Sequence, residues 1–493
     1  MKAPKPGQIV YEPTKQEALD LVLQEPEKAA ELLVQLSKTV NALALQVSQL
    51  TSRIEELERQ HSQNSSNSSK PPSSDGYKKP SPRSLRKKAG KKKGGQKGHQ
   101  GNTLKMVAVP DEVILHEPDV CSCGRSVRSG VIVAEQRRQV FDVPKISLHV
   151  TEHRIRTTVC SCGTIHTGVF PDGVNAPVQY GTRVKAAGTY LHQYHHLPYE
   201  RTCEAMGDLL GCALSPGTLK NIMSECHKKL EGAAKEIQDH ITHSSVAHFD
   251  ETGLRVAGKN YWVHSASTHK ATYYYAHQRR GSEGSESAGI LPVFSGTAVH
   301  DGWKSYIGFD CNHGLCNAHH LRELIFITEA YKQPWAMEMV YFLRSIKKTV
   351  DAAKRDGLHQ LPDTILQDLK NNYEHTLKKA YAANPYPEPA VPKKRGRPKK
   401  SKPLNLIERL DKQRDLVLRF AHDFTVPFDN NLAERDVRMV KLRQKVSGCF
   451  REPSGAEMFC RIRSYISTAR KNGLDVIQAL YNAFQRDPFS VGT

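Results

Sequence analysis

A four-heptad apolar repeat fills much of the first sixty residues. Its apolar positions are Leu33, Val40, Val47 and Ile54 at one heptad position and Leu36, Leu43, Leu50 and Leu57 at the other. Mostly β-branched residues at the first position and leucine at the second favour a parallel, leucine-zipper-like coiled coil of two chains. An amphipathic helix that packs on its own domain would show the same stripe. We predict a helix over residues 1–60 and favour the dimer.

Alternating apolar and polar residues predict strands in two regions. The first region, residues 103–170, contains VAVPDEVILH, GVIVAEQRRQVFDVP and LHVTEHRIRTTV. The second, from residue 245, contains SSVAHFD, TGLRVAG, NYWVHSAS, KATYYYAH and GTAVHD. Two or three antiparallel strands followed by a helix and a further strand predict an RNase H-like α/β core within residues 241–450.

Helical patterns separate and follow these strand regions. Residues 171–240 predict helices over 181–196 and 201–210, a turn at Gly211, and a helix that Ser215 caps. This order is typical of a helix-turn-helix DNA-binding domain, but a compact helical connector has the same pattern. Residues 317–425 predict a helical insertion in the core, and residues 451–493 predict C-terminal helices. The predicted fold class is therefore multidomain α/β.

The distribution of positive charge along the chain indicates that its partner is a nucleic acid. The 493-residue chain has a net charge of +20, and residues 78–105 hold eleven Lys or Arg and no acid, while residues 393–402 hold seven and no acid. The first block lies in a Ser/Asn/Pro- and Lys-rich segment, 61–102, that cannot bury a core. Such blocks are either phosphate-binding arms or solvated linkers. The predicted DNA contacts there are Lys91, Lys92, Lys93, Arg395 and Arg397, the last two in a string similar to an AT-hook.

Sequence features also bear on location. No apolar run reaches the length of a membrane span, and the N-terminal residues lack the apolar core of a signal peptide. Eleven cysteines with no disulfide framework suggest reduced thiols. We expect a cytoplasmic protein.

Three carboxylates carry the predicted chemistry. Asp250 and Asp301 follow short β-branched or aromatic runs, and Glu434 opens a helix far downstream. A fold that gathers them at one sheet edge would hold two Mg²⁺ (or Mn²⁺) ions bridged by Asp250, which suits in-line displacement at a phosphodiester. Taken singly, the two aspartates could be turn residues, and Glu434 could complete a capping box with Asn431. Phosphates near the third acid would be neutralised by the basic residues that follow it, Arg435, Arg438, Lys441 and Arg443.

Four cysteines form two CxC pairs that bracket the first strand region. Cys121, Cys123, Cys160 and Cys162 supply enough thiolates for a tetrahedral zinc site in a small β domain, 103–170. The one-residue spacing differs from the usual two to four, so a nearby histidine could substitute for a thiolate, or the thiols could hold no metal. Zinc is the favoured interpretation.

These residues together resemble transposases of the insertion-sequence-66 family. The likeness rests on the heptads, the CxC pairs and the strings NSSNSSKPPSSD, GGQKGHQGNTL, LSPGTLKN, HFDETGLRV, HDGWKSY, CNAHHLREL and DNNLAERDVR. It implies a DDE transposase with an RNase H-like catalytic domain whose catalytic acids are Asp250, Asp301 and Glu434. It also implies a zinc-finger-like segment at the CxC pairs, where the family more commonly has CxxC.

The resemblance implies cleavage of DNA at the terminal inverted repeats of a mobile element and joining of the 3′ ends to target DNA. A homodimer or a larger synaptic oligomer would hold both ends, with accessory proteins from the same element as further partners. Two alternatives remain: a DNA-binding regulator or domesticated relative without strand transfer, and a simple nuclease of the same fold.

Overall fold

The computed structural model describes residues 14–68, 75, 104–118, 120–126, 131–387 and 400–491. The chain divides into two compact units, Met1–Pro82 with Cys316–Phe424, and Arg83–Leu315 with Thr425–Thr493. Part of the predicted chemistry lies outside the described residues, namely Lys91, Lys92, Lys93, Arg395, Arg397 and most of segment 61–102. Among the described helices, none combines the length and apolarity needed to cross a bilayer.

Helices account for most of the regular structure. In chain order they are α1 (Lys15–Gln24), α2 (Pro26–His61), α3 (Thr182–Thr189), α4 (Tyr199–Leu210), α5 (Pro216–Lys229), α6 (Glu231–Thr242), α7 (Ser282–Ser287), α8 (Lys304–Ile307), α9 (Asn317–Tyr331), α10 (Pro334–Arg355), α11 (Asp363–Ala382), α12 (Lys402–Lys412), α13 (Arg414–His422), α14 (Asn431–Ser447), α15 (Pro453–Lys471) and α16 (Val476–Phe484). A π-helical turn, Tyr190–Tyr194, continues α3, and a 3₁₀ turn spans Leu291–Val293.

The strands are fewer and form two sheets. They are β1 (Thr157–Val159), β2 (Ile165–Thr167), β3 (Val246–Val256), β4 (Lys259–Ser267), β5 (Thr272–His277), β6 (Thr297–His300) and β7 (Asn312–Leu315). β1 and β2 form an antiparallel hairpin, and the other five form one sheet of order β5-β4-β3-β6-β7. The chain is thus a mixed α/β protein.

The five-stranded sheet is mixed. β3, β4 and β5 are antiparallel neighbours, whereas β6 runs parallel to β3 and β7 runs parallel to β6. The predicted strands SSVAHFD and TGLRVAG are one continuous strand, β3, because no turn residue interrupts the pairing with β4. β7 was not predicted, since its four residues, NHGL, are too short and too polar to show alternation.

Helices α3 to α6 share their core with the C-terminal helices. Met206 and Leu219 pack in one apolar cluster with Ile462, Tyr465 and Leu480, all almost fully buried. Helix α5 begins as the sequence predicts, because the Ser215 hydroxyl accepts a hydrogen bond from the Thr218 N–H at 3.1 Å. Residues 171–240 and 451–493, predicted as separate segments, therefore have a common hydrophobic core.

The strands predicted for residues 103–156 are absent from the described part of that region. Only the last predicted run contributes a strand, β1. Val131, Val133 and Val140 are exposed. Alternation predicts a strand only where another layer covers the apolar face, and these side chains are not covered here. The prediction of a strand-rich β domain is wrong for this part of the chain.

In the first unit, helix α2 ends against the helical segment 316–424. The Arg59 guanidinium lies 5.2 Å from the centre of the Tyr331 ring, and the Asn67 amide donates to Glu329 at 3.3 Å. The helical insertion predicted at 317–425 coincides with the part of this unit that spans Cys316–Phe424.

Candidate active site

Asp250 lies on β3, and Asp301 directly follows the end of the neighbouring parallel strand β6. β3 and β6 are in register up to the pair His248 and Val299, and Asp250 and Asp301 each lie two residues further along. Side chains two residues apart on a strand leave the sheet on the same face. Strand pairing therefore places both carboxylates on one face of the sheet, at the point where β6 ends.

The third acid approaches that face on helix α14. Glu434 lies in the first turn of the helix, and Asn430 is the residue immediately before the helix. The Asn430 amide is buried, with Oδ1 2.8 Å from the His248 Nδ1 atom and Nδ2 donating to the Phe249 carbonyl at 2.8 Å. These contacts hold the start of α14 against β3 beside Asp250. The capping-box interpretation is wrong, since Asn431 is the first helical residue and Asn430 makes no side-chain cap.

A second anchor holds α14 one turn after its start. The Asp436 carboxylate accepts hydrogen bonds from the Ser267 hydroxyl at 2.7 Å, the Thr272 hydroxyl at 3.0 Å and the Lys471 ammonium at 2.8 Å. The Tyr274 hydroxyl donates to the Asp436 backbone carbonyl at 2.9 Å. Helix α14 is thus bonded to β4, β5 and α15, which limits how far Glu434 can move from the sheet.

The electrostatics of Asp250 link the three acids. Burial, followed by the charges of Glu251, Asp301 and Glu434, raises the pKa of Asp250 well above its usual value. The Glu251 N–H donates to Asp250 Oδ1 at 2.9 Å and opposes that shift. The site therefore concentrates negative charge, which a bound cation would stabilise.

The turn that carries Asp301 is held by a buried histidine pair. The Asp301 carboxylate accepts from the Trp303 N–H at 2.8 Å, and the Gly302 N–H donates to His300 Nδ1 at 3.0 Å. Because His300 Nδ1 accepts this hydrogen bond, the proton of the neutral ring is on Nε2. His300 Nε2 lies 3.1 Å from His313 Nδ1 and donates to it. Burial lowers the pKa of His300 to about 3, which keeps the ring neutral. Asp301 is therefore both a turn residue and a member of the acid cluster.

A fourth carboxylate next to Asp250 is neutralised locally. The Glu251 side chain is buried, and its Oε1 atom accepts from Arg280 Nε at 2.9 Å and lies 2.8 Å from Arg280 Nη2. Its other oxygen accepts a hydrogen bond from the Tyr306 hydroxyl. The acid-rich string HFDET could have drawn attention to Glu251, but sequence reasoning missed it because Arg280 lies far along the chain.

Two of the predicted phosphate contacts are available on the surface of α14. Arg435 and Arg438 are exposed, and Arg438 Nη2 lies 4.0 Å from Glu434 Oε2. Their positions one and four residues after Glu434 place positive charge beside the third acid. They remain predicted DNA contacts.

Two others are directed into the protein, and their prediction is corrected. Lys441 is half-buried and its ammonium donates to the Gly253 carbonyl. Arg443 is buried, lies over the Phe450 ring at 4.6 Å and donates to the Gly448 carbonyl at 3.2 Å. Both charges are committed to internal contacts because α14 turns these positions towards the sheet and the neighbouring helices.

The two cysteine pairs adopt the same turn. Each reads Cys-Ser-Cys-Gly, and the glycine N–H donates to the carbonyl of the first cysteine at 2.8 Å, from Gly124 to Cys121 and from Gly163 to Cys160. Both glycines have positive φ, +83° and +82°, which favours glycine at this position. A one-residue spacing is therefore compatible with two matching turns.

One thiol in each turn has a lowered pKa. Hydrogen bonds from the backbone and then the side chain of Cys123 lower the pKa of Cys121, and the hydrogen bond with Thr164, 3.2 Å from Cys162 Sγ, lowers the pKa of Cys162 to about 7. Among the described residues, no three of the four sulfurs, including that of Cys160, lie within 4.8 Å of one another. The pairs thus have the chemistry of zinc ligands without being gathered into one site.

Two family models match the chain. Residues 177–458, more than half of it, match the model described as transposase IS66 family, and this range includes the large sheet and all three acids. Residues 12–105 match a model described as a family of unknown function (DUF6444). None of the curated proteins matches the chain.

Proposed function

This chain belongs to the IS66 family of transposases, and we propose on that premise that it cuts DNA at the ends of a mobile element and joins the freed 3′ ends to target DNA. The observation that carries the proposal is the placement of Asp250 on β3 and Asp301 directly after β6, with Glu434 on α14 close enough for both of the other acids to act on the charge of Asp250. Acids contributed by neighbouring parallel strands and a distant helix are typical of a site for cations and phosphates.

The topology of the sheet supports an RNase H-like catalytic core. Three antiparallel strands, β3 to β5, are followed by a crossover to β6 and β7, which lie parallel on the other side of β3. The first acid then lies on the central strand and the second directly after the end of its parallel neighbour. This arrangement accounts for why the acids occur where they do in the sequence.

The carboxylates fit divalent cations. Magnesium and manganese ions prefer oxygen ligands, and a bound cation would offset both the burial and the neighbouring negative charges that raise the pKa of Asp250. Asp250, Asp301 and Glu434 would hold the ions. When bound, these ions would activate the attacking oxygen and stabilise the leaving oxygen of an in-line displacement at phosphorus.

The residues of the chain position the reacting groups. Asn430 and His248 keep Glu434 near the strand that carries Asp250, and the His300 ring orders the turn of Asp301. The rigid placement of charged groups is the main protein contribution to phosphoryl transfer. The exposed guanidinium of Arg438 would stabilise a phosphate next to the third acid.

The remaining DNA contacts are proposed for the basic blocks and for the helical region. Lys91, Lys92, Lys93, Arg395 and Arg397 would bind phosphates without sequence preference. Helix α5, which follows α4 after a Gly211 turn with φ of +64°, would enter a groove as the second helix of a helix-turn-helix.

Dimer formation through α2 is proposed to hold two element ends. All eight predicted coiled-coil positions on this helix are between 47 and 64 % exposed. A continuous apolar stripe of this length is stabilised when a second helix covers it. The repeat fits a second copy of the same helix.

Zinc binding by Cys121, Cys123, Cys160 and Cys162 is proposed for the two matching turns. The lowered pKa of Cys121 and of Cys162 supports thiolate ligands. Gathering the four sulfurs around one ion would bring the two turns together and give the exposed apolar residues between them a core to enter.

The test is strand cleavage and joining on labelled DNA that carries the inverted repeats flanking the gene, with Mg²⁺ or Mn²⁺. We expect metal-dependent cleavage and joined products from the wild type, and none from Asp250→Asn although it still binds DNA. Asp310→Asn is the matched control, because Asp310 is an exposed aspartate outside the acid cluster. It should behave as the wild type does.

Other outcomes would contradict the proposal. Cleavage without joining would indicate a nuclease. Specific binding of the repeats with no cleavage, even with accessory proteins of the element present, would indicate a DNA-binding regulator.

A further inference from the structure

An exposed tryptophan adjoins the second acid. Trp303 follows Asp301 and Gly302, and 40 % of its surface is exposed although it lies beside a charged site. Its backbone N–H donates to Asp301 Oδ1 at 2.8 Å, and the positive φ of Gly302, +88°, sets the turn between them. The backbone of Trp303 is therefore held in the turn that carries the second acid.

A partly exposed guanidinium packs against this ring. The Cζ atom of Arg280 lies 3.9 Å from the centre of the Trp303 ring and 4.8 Å from that of Trp262. Glu251 orients the guanidinium, and Tyr306 in turn donates to Glu251. We call the Trp303 ring with Arg280 beneath it the stacking platform.

Packing of the core does not explain why the Trp303 ring is both supported by Arg280 and exposed. A tryptophan needed only for packing would be buried, whereas a preorganised, exposed ring reduces the entropy lost when a flat ligand binds. Metal ions do not bind an indole face, and the surrounding acids and arginine disfavour an apolar peptide. Nucleobases stack on aromatic rings irrespective of sequence, and arginine adds to such contacts.

We propose that the stacking platform binds an unpaired nucleobase of the DNA strand that contains the phosphate held at the acid cluster. This inference rests on the proposed function. A base inside a duplex is already stacked on its neighbours, so only an extruded or terminal base can use the ring. Because the Trp303 N–H is bonded to Asp301, occupation of the platform would also hold the second acid in its observed orientation.

The first experiment measures binding of single-stranded oligothymidylate by the full-length chain without divalent metal. Stacking should quench tryptophan fluorescence in the wild type and in Trp335→Phe, whose target is a buried tryptophan of the other unit. Trp303→Phe should lose that quenching while keeping most of the affinity. Trp303→Ala should bind about 10-fold more weakly, as expected for the loss of one base–aromatic stack.

The outcome that overturns the inference in this experiment is equal quenching in Trp303→Phe and Trp335→Phe. Since Trp303→Phe retains an aromatic ring, it also guards against misfolding in Trp303→Ala. No cleavage activity is needed, so this result is separate from the test of the proposed function.

The second experiment uses element-end DNA with one abasic nucleotide, placed in turn at the positions next to the cleaved bond. At one position the missing base should slow cleavage by the wild type about 10-fold and should not slow Trp303→Ala further. Equal slowing of both proteins at every position would overturn the stacking platform while leaving transposition standing. If intact DNA is not cleaved by the wild type, the proposed function fails and the fluorescence result alone decides the platform.

Discussion

Asn430 joins the third acid to the strand that carries the first. Its side chain is 1 % exposed, and it contacts both the His248 ring and the Phe249 carbonyl at 2.8 Å. Glu434 lies only one turn further along the helix. A short amide with two buried hydrogen bonds is thus a positioning group for the carboxylate of Glu434.

We therefore predict that Asn430→Ala lowers the free energy of unfolding by about 1–3 kcal/mol, because buried polar partners lose a hydrogen bond. DNA cleavage should fall further than stability alone explains, since the start of α14 is released. Denaturant unfolding and cleavage rates measure the two effects. Asn371→Ala, at an exposed position on α11, is the control and should change neither. Unchanged cleavage in a destabilised Asn430→Ala would remove the positioning role.

His196 is a buried histidine that lies shortly after the π-helical turn. It is 1 % exposed with φ of +62°, and neither of its ring nitrogens has a hydrogen-bond partner among the residues that the structure describes. Burial, then the charges of Arg463 and Arg443, lowers its pKa to about 3. The ring is therefore neutral in the folded protein and carries a proton in the unfolded chain below about pH 6.5.

This difference predicts a pH dependence of stability. Because the folded pKa lies below the unfolded value, the contribution of His196 is complete above about pH 6.5 and declines as the pH falls towards 3. The slope is about 1.4 kcal/mol per pH unit for one proton. His196→Asn tolerates the positive φ and should reduce the slope between pH 6 and 4 by one proton, measured by denaturant unfolding at several pH values. Identical slopes in both proteins would refute this assignment.

Among the elements, α14 and α2 differ in what covers them. Helix α14 is bonded on one side to β3, β4 and β5 through Asn430 and Asp436, and its outer side carries Arg435 and Arg438. The polar contacts of Asp436 are internal although the sequence of this helix is highly charged. Helix α2 has the opposite character, because its apolar stripe is exposed along its length.

For α2 we predict that Leu43→Lys with Leu50→Lys converts a dimer into a monomer, since two charges would have to enter the apolar seam. Sedimentation equilibrium of the full-length protein measures this change. Ser52→Lys adds the same charge at an exposed position outside the two stripes and should leave the mass unchanged. A wild type that is already monomeric at high concentration would rule out α2 as the dimer contact.

In the whole molecule, the three acids belong to the second unit. The chain leaves this unit after Asp301 and returns to it before Glu434. The segment Cys316–Phe424 belongs to the first unit, and the chain returns to the second at Thr425. The second unit therefore completes its site with a helix from its C-terminal part. Negative charge gathered in this way destabilises the folded protein until a cation binds.

Metal binding should consequently stabilise the second unit. We predict that millimolar Mg²⁺ or Mn²⁺ raises the thermal midpoint of the wild type but not that of Asp250→Asn, because ligands that bind the folded state stabilise it. Without metal, Asp250→Asn should be the more stable protein, since the amide removes the repulsion from Glu251, Asp301 and Glu434. Calorimetry in EDTA measures the difference in thermal midpoint between the two proteins without metal, and calorimetry with added metal measures the shift of each. A metal-induced shift of equal size in the variant would show that the ions bind elsewhere.

The sequence alone was sufficient for the features that depend on neighbouring residues. The heptads of α2, the Ser215 cap of α5, most strands of the large sheet and the positions of Asp250, Asp301 and Glu434 follow from local pattern, because helix periodicity, capping and strand alternation act over a few residues. The matching Cys-Ser-Cys-Gly turns are likewise local.

Only the tertiary structure decided what long-range packing controls. It merged two predicted strands into β3, added the short β7, left the apolar residues before β1 exposed, and turned Lys441 and Arg443 inward while Arg438 faces outward. It also paired Glu251 with Arg280 and Asn430 with His248. Such contacts join residues far apart in the chain, and their energies depend on which faces are covered, so no local pattern contains them.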